Sequence, residues 1–146
     1  VSVVNYCPPS DVHGILAAPP CTEFAVSGAR WWQRKHPDKL QKATNLVLNC
    51  LHIIKTAQPK WWALENPVGR LPRFIGPYVM TFQPWEYGDP WCKRTCLWGT
   101  FTPPKKNPVK PDMLLGPHRM SPSLDRRRLR SRTPPHFAQA FFEANP

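Results

Sequence analysis

Apolar and polar positions follow two different rhythms along this chain. Residues 12–18, VHGILAA, form an unbroken run of mostly small apolar side chains between Asp11 and the pair Pro19-Pro20. That is the pattern of a short buried strand that ends at a loop. From Asp38 to Ala57 the rhythm changes, and Leu40, Ala43, Val47, Cys50, Leu51 and Ile54 recur at three- and four-residue spacing. This spacing predicts an amphipathic helix with Asp38 as its N-cap. KWWALENP, residues 60–67, predicts a second buried strand closing on the polar pair Glu65-Asn66 before a proline. Strand, helix and strand in this order predict a βαβ unit with a parallel sheet, and such sheets bind ligands beyond the carboxyl ends of their strands. Cys21 and Glu65 both fall at that edge.

Further along, VMTFQPW (79–85) and RTCLWGTF (94–101) read as two more strands. The short link through Tyr87-Gly88-Asp89-Pro90 predicts that they form an antiparallel pair. Residues 102–132 are a loop rich in proline and basic residues. TPPHFAQAFFEANP then predicts a closing helix, with Thr133 as cap, Pro134 in the first turn, and Phe137, Ala140 and Phe141 toward the core. The fold class expected is α/β, with parallel strands plus a C-terminal antiparallel pair.

A length of 146 residues suits one domain, read as a sheet-and-helix core over 1–101, a basic loop over 102–132 and a C-terminal helix over 133–146. Twenty prolines limit how much of it is helical. The net charge is +11, and residues 93–132 carry eleven of the lysines and arginines against only Asp112 and Asp125. Such a concentration suits a polyanionic partner such as nucleic acid, and charge alone leaves a solvated basic linker equally open. Five irregularly spaced cysteines with no apolar leader before them point to thiols in a reducing cytoplasm rather than to a disulfide scaffold. No apolar run reaches the length of a membrane span. The chain opens at Val1 on an apolar stretch, so an upstream segment is expected.

A Pro-Pro-Cys at one strand end and a Glu-Asn-Pro at the next, one helix later, resemble the DNA cytosine-5 methyltransferases. Here these are APPCTEF, with Cys21, and LENPVG, with Glu65. EYGDPWCKRTCLWG is similar to the family's Tyr-Gly-x-Pro segment with its basic pair, and RSRTPPHFAQAF is similar to its late Arg-x-x-Thr-Pro motif; Trp91 stands where the family usually has Gln. The resemblance is nearest to the short, phage-like members and runs from about residue 11 onward. It implies a partial methyltransferase fold, Rossmann-like in its sheet. The implied activity transfers a methyl group from S-adenosylmethionine to carbon 5 of cytosine through a covalent cysteine adduct. Cys21 is then the nucleophile and Glu65 the acid on the base. The base is held by Arg94 or Lys93, a choice the motif leaves open. Pro19, Pro20 and Asn66 border the cofactor.

The chemistry asks for these residue types on its own account. Carbon 5 of cytosine is a poor nucleophile until another nucleophile adds at carbon 6, and a thiolate both adds well and leaves again. Addition puts negative charge on the ring, which a carboxylic acid at nitrogen 3 and a guanidinium near the carbonyl at position 2 relieve. A base stacked in a duplex is out of reach, so the nucleotide must be flipped out. In the loop after Cys21, Arg30, Arg34 and Lys35 are then candidates for phosphate contact and Trp31 or Trp32 for the vacated stack, with Arg126, Arg127, Arg128 and Arg130 as further phosphate contacts.

Plainer readings stand beside these. Cys50, in mid-helix, reads as inert core. Trp61 and Trp62 read as packing residues. Cys92 and Cys96, even with His118 downstream, lack a second cysteine pair, so no metal site is expected. The family's Gly-rich cofactor loop is not visible before Cys21. The chain thus reads as the base-handling half of the fold, with an upstream cofactor-handling half as its partner. The alternatives are a catalytically silent nucleic-acid-binding module of the same fold, and the same chemistry on RNA.

Overall fold

In the computed structural model, which describes residues 3, 6–116 and 131–146, both predicted rhythms become regular structure. The apolar runs give β1 (Gly14–Ala17) and β2 (Trp61–Pro67), and the three-and-four spacing gives α1 (Pro37–Ala57) between them. β1 and β2 are parallel, in a register that sets Gly14 against Trp61 and Ala17 against Leu64. This is the expected βαβ unit. Further elements are α2 (Pro72–Ile75), β3 (Met80–Phe82), β4 (Thr95–Thr100) and α3 (Pro135–Ala144), with 3-10 helices at Val26–Arg34 and Pro84–Tyr87. The sheet runs in the order β1-β2-β4-β3.

The chain divides into two compact units, residues 1–80 with 95–101, and residues 81–94 with 102–146. In the first, the N-cap of α1 lies two residues earlier than expected. The N-cap is His36, whose Nδ1 accepts the amide of Asp38 at 3.4 Å, because Pro37 takes the first helical position and moves the cap ahead of itself. The helix stops at Gln58, which adopts the left-handed conformation (φ 48°) and donates its amide to the carbonyl of Ile54. Val47, Cys50, Ile53 and Ile54 are buried, while Leu40, Ala43 and Leu51 are half-buried against the same core. That core gathers Phe24, Val47, Cys50, Leu64, Leu71, Cys96 and Trp98. Phe24 is fully buried, and truncating such a side chain typically costs on the order of 3–5 kcal/mol.

β4 runs antiparallel to β2, from Trp62 opposite Thr100 to Pro67 opposite Thr95. The sequence reading had anticipated only a β3–β4 pair. Close approach of the two strands depends on Gly99, whose φ of 143° disfavours a side chain and where a Cβ would meet the Trp62 carbonyl oxygen at 2.0 Å.

In the second unit, the strand expected over 79–85 ends at Phe82. Pro84 cannot donate to a ladder, and a capping box between Gln83 and Glu86 starts the 3-10 turn instead. The Pro-rich stretch after β4 is tied along this turn, with the amides of Asn107, Val109 and Asp112 donating to the carbonyls of Glu86, Trp85 and Pro90. The N-cap of α3 is Pro134, not Thr133, and it offers no side-chain acceptor. The Asp89 carboxylate supplies one from outside the helix by accepting the His136 amide at 3.2 Å, and its other oxygen lies 2.7 Å from His136 Nδ1. Phe137 and Phe141 are buried as expected, and Phe137 stacks on Phe82 at 3.6 Å with Tyr87 edge-on at 5.1 Å. No helix among the described residues is long and apolar enough to cross a membrane.

Candidate functional site

The parallel pair carries Pro19-Pro20-Cys21 and Glu65-Asn66 to the same carboxyl edge of the sheet. One hydrogen bond ties the two strand ends together: Asn66, fully buried, donates from Nδ2 to the Pro19 carbonyl at 3.1 Å. Asn66 therefore holds the backbone that leads into Cys21. Its Oδ1 is also buried and has no hydrogen-bond partner among the described residues. Pro19 is buried and Pro20 exposed. Glu65, the neighbour of Asn66 on the strand, is half-buried and stands opposite Leu97 of β4.

Cys21 opens a tight turn and is half-buried. Its carbonyl accepts the amides of both Phe24 and Ala25 at 2.9 Å. The turn is then stapled to the loop after β2, where Ala25 and Gly69 form an antiparallel bridge and the Val26 amide donates to the Val68 carbonyl at 2.8 Å. Gly69 is needed for this approach, since a Cβ there would stand 1.8 Å from the Phe24 carbonyl oxygen. No disulfide engages any of the five cysteines. Cys50, by contrast with Cys21, lies within the core, where burial pushes its thiol up and keeps it protonated. The inert reading of Cys50 fits that position.

Basic residues around the turn divide by what they touch. Lys35 is engaged internally, with its ammonium 2.9 Å from the Glu23 carboxylate and 2.8 Å from the Thr22 carbonyl. Arg30 and Arg34 are exposed, and their guanidinium carbons lie 5.1 and 5.5 Å from the ring of Trp31, which is 45% exposed. This is a cationic aromatic surface at the end of the 3-10 helix. Trp32, the next residue, is half-buried and faces inward to Arg70, 4.5 Å from its ring. Arg70 was not among the sequence candidates, because a single arginine in a loop has no spacing to mark it.

In the second unit, Lys93 and Arg94 differ in the same way. The Lys93 amide donates to Gln83 Oε1 and its ammonium to the Arg132 carbonyl, both at 3.0 Å. Arg94 is exposed, immediately before β4 begins at Thr95. Cys92 places its sulfur 3.4 Å from that of Met113. Arg126, Arg127, Arg128, Arg130 and His118 lie outside the described residues.

A cavity of about 510 Å³ opens beside β1, lined by Ile15 to Pro20, by Leu46, Cys50 and Ile53 of α1, and by the N-terminal segment including Val3 and Tyr6. Among the described residues its lining contains no charged side chain. S-adenosylmethionine carries an amino-carboxylate and ribose hydroxyls that need charged and polar partners. The residues lining this cavity do not provide them, and so do not fit the cofactor by themselves.

Residues 5–72 match the family described as C-5 cytosine-specific DNA methylase. The chain is also 34% identical over 62 residues to a type II methyltransferase, M.DdeI, of Desulfomicrobium norvegicum. The aligned stretch is 42% of this chain and spans only 13% of that relative. Both strand ends, with Cys21 and Glu65, lie inside the family match.

Proposed function

We propose, from the match of residues 5–72 to the C-5 cytosine-specific DNA methylases, that the chain is a member of that family. On this reading it is the base-handling part of a DNA cytosine-5 methyltransferase. The observation that carries it is the joining of the two strand ends by Asn66, which sets the Cys21 turn and Glu65 at one sheet edge.

Cys21 adds as thiolate to carbon 6 of a flipped cytosine, forming the carbon–sulfur bond while the ring's double-bond electrons move toward nitrogen 3. Glu65, acting from its carboxylic acid form, gives a proton to nitrogen 3 and leaves carbon 5 enamine-like. Arg94, exposed where Lys93 is engaged by Arg132, is the cation that steadies the carbonyl at position 2. Arg30 and Arg34 meet the DNA backbone beside the turn, and Trp31 fills the vacated stack. The methyl donor of such enzymes is S-adenosylmethionine, and its polar partners belong to a cofactor-handling half that completes the sheet. Among the described residues β1 pairs with β2 alone, and half-exposed Leu16 lines the cavity along that edge.

The uncharged lining of that cavity favours a second reading, a nucleic-acid-binding module without chemistry. A duplex containing 5-azacytosine, whose electron-poor ring takes a thiolate at carbon 6 without a methyl donor, separates the two when incubated with the chain. The first reading expects a covalent chain–DNA adduct on a denaturing gel, lost in Cys21→Ser. An adduct that persists in Cys21→Ser refutes it, and DNA binding with no adduct from the unaltered chain favours the silent module. Running tRNA in parallel decides between DNA and RNA as substrate.

A further inference from the structure

The backbone carbonyls of the Cys21 turn are all occupied. That of Cys21 takes the amides of Phe24 and Ala25, that of Thr22 the ammonium of Lys35, that of Glu23 the Nε of Arg70 at 2.8 Å, and that of Phe24 the amide of Arg70 at 2.9 Å. Two of these four acceptors are held by one residue, and a third is held by a lysine anchored on Glu23. Arg70 grips the turn with backbone and side chain at once, while its guanidinium lies over the Trp32 ring at 4.5 Å. A planar fork stacked on an indole loses little freedom on forming that bond, which a lysine cannot imitate.

We infer that Arg70 is a positioning residue for the reacting thiol: it fixes the Cys21 turn from the far side, from the loop that follows Glu65-Asn66. The inference rests on the assignment of Cys21 as the nucleophile. Through Arg70 the two halves of the site are built as one piece. Asn66 holds the entry to Cys21 at Pro19, and Arg70 holds its exit at Glu23 and Phe24. Both holders come from the same ten-residue stretch, Trp61 to Arg70, that begins with β2 and contains Glu65. A change of geometry at Glu65 is thus transmitted to both ends of the thiol's turn.

The role separates from mere support of the fold by reading Cys21 itself. Iodoacetamide alkylation of the full chain is followed across pH by peptide-resolved mass spectrometry, together with amide exchange at Phe24 and Ala25. Cys50, buried in the core, reports the integrity of the fold. In Arg70→Gln, loss of the cation and of the clamp raises the pH midpoint of Cys21 alkylation by about half a unit and speeds exchange at Phe24 and Ala25 by about tenfold, with Cys50 still protected. Arg70→Lys keeps the charge without the stacked fork, so it restores the midpoint and leaves exchange fast. An unchanged Cys21 profile and unchanged exchange in Arg70→Gln overturn the inference, and so does exposure of Cys50 in step with Cys21. Because alkylation needs neither DNA nor methyl donor, this result stands apart from adduct trapping: a shifted profile without any adduct keeps Arg70 and rejects the methylase reading.

Discussion

Tyr87 illustrates what burial does to a single group. Its ring is 3% exposed and packs edge-on to Phe82 and Phe137, and its hydroxyl finds no partner among the described residues. Burial, with the charge of neighbouring Glu86 adding to it, pushes the phenol from the ordinary 10.0 up to about 12. The folded state therefore favours the neutral form. Its contribution is fully present below pH 10 and is lost as pH rises through about 12. Tyr87→Phe removes that loss. Urea unfolding of both chains should show Phe at least as stable at pH 8 and its advantage widening between pH 10 and 12; parallel curves would contradict the assignment. The same scale separates the two thiols. Cys50 is held protonated by the core, while Cys21 lies half-buried on a turn whose carbonyls are all bound.

At the scale of elements, the meeting of two loops depends on the absence of a side chain. At Gly69 an added methyl would stand 1.8 Å from a backbone oxygen, so the loop after β2 and the Cys21 turn would have to separate. Gly69→Ala is expected to lower stability by about 3 kcal/mol, read from denaturant midpoints, and to free the Val26 and Arg70 amides, which bridge the two loops, to exchange. A loss below about 0.5 kcal/mol would show that the bridge yields easily. The elements themselves were largely legible in the sequence. α1 followed from its spacing, and β1 and β2 from unbroken apolar runs ending at proline. What was not legible came from partners distant in the chain. The pairing of β2 with β4 joins residues that no local pattern links, and the cap of α3 comes from Asp89, far upstream. The cap moved two residues upstream at α1, from Asp38 to His36, and one residue downstream at α3, from Thr133 to Pro134, because proline took the first turn in each.

For the whole molecule, the candidate site was legible as motifs but not as a mechanical unit. Cys21 and Glu65 were visible from Pro-Pro-Cys and Glu-Asn-Pro, whereas the tie through Asn66 and the grip of Arg70 need coordinates. Charge was legible as a total and as a concentration late in the chain, but not as which cations the chain itself engages. Arg30 and Arg34 flank an exposed indole, so if they meet phosphates, Arg30→Ala and Arg34→Ala should each reduce the slope of log affinity against log salt by about 0.7 to 0.9 for a DNA ligand. An unchanged slope in the double variant would remove this surface from the DNA interface. Several other cations are engaged by the chain itself: Lys35 with Glu23 and Thr22, Arg70 with Glu23, Lys93 with Arg132, and Lys106 with Glu86. A polyanion releases counterions only where a cation is available to replace them, and these four are already serving as internal fasteners. The twenty lysines and arginines are therefore an upper bound, and the number of ions displaced on binding will count the protein's idle cations rather than its composition.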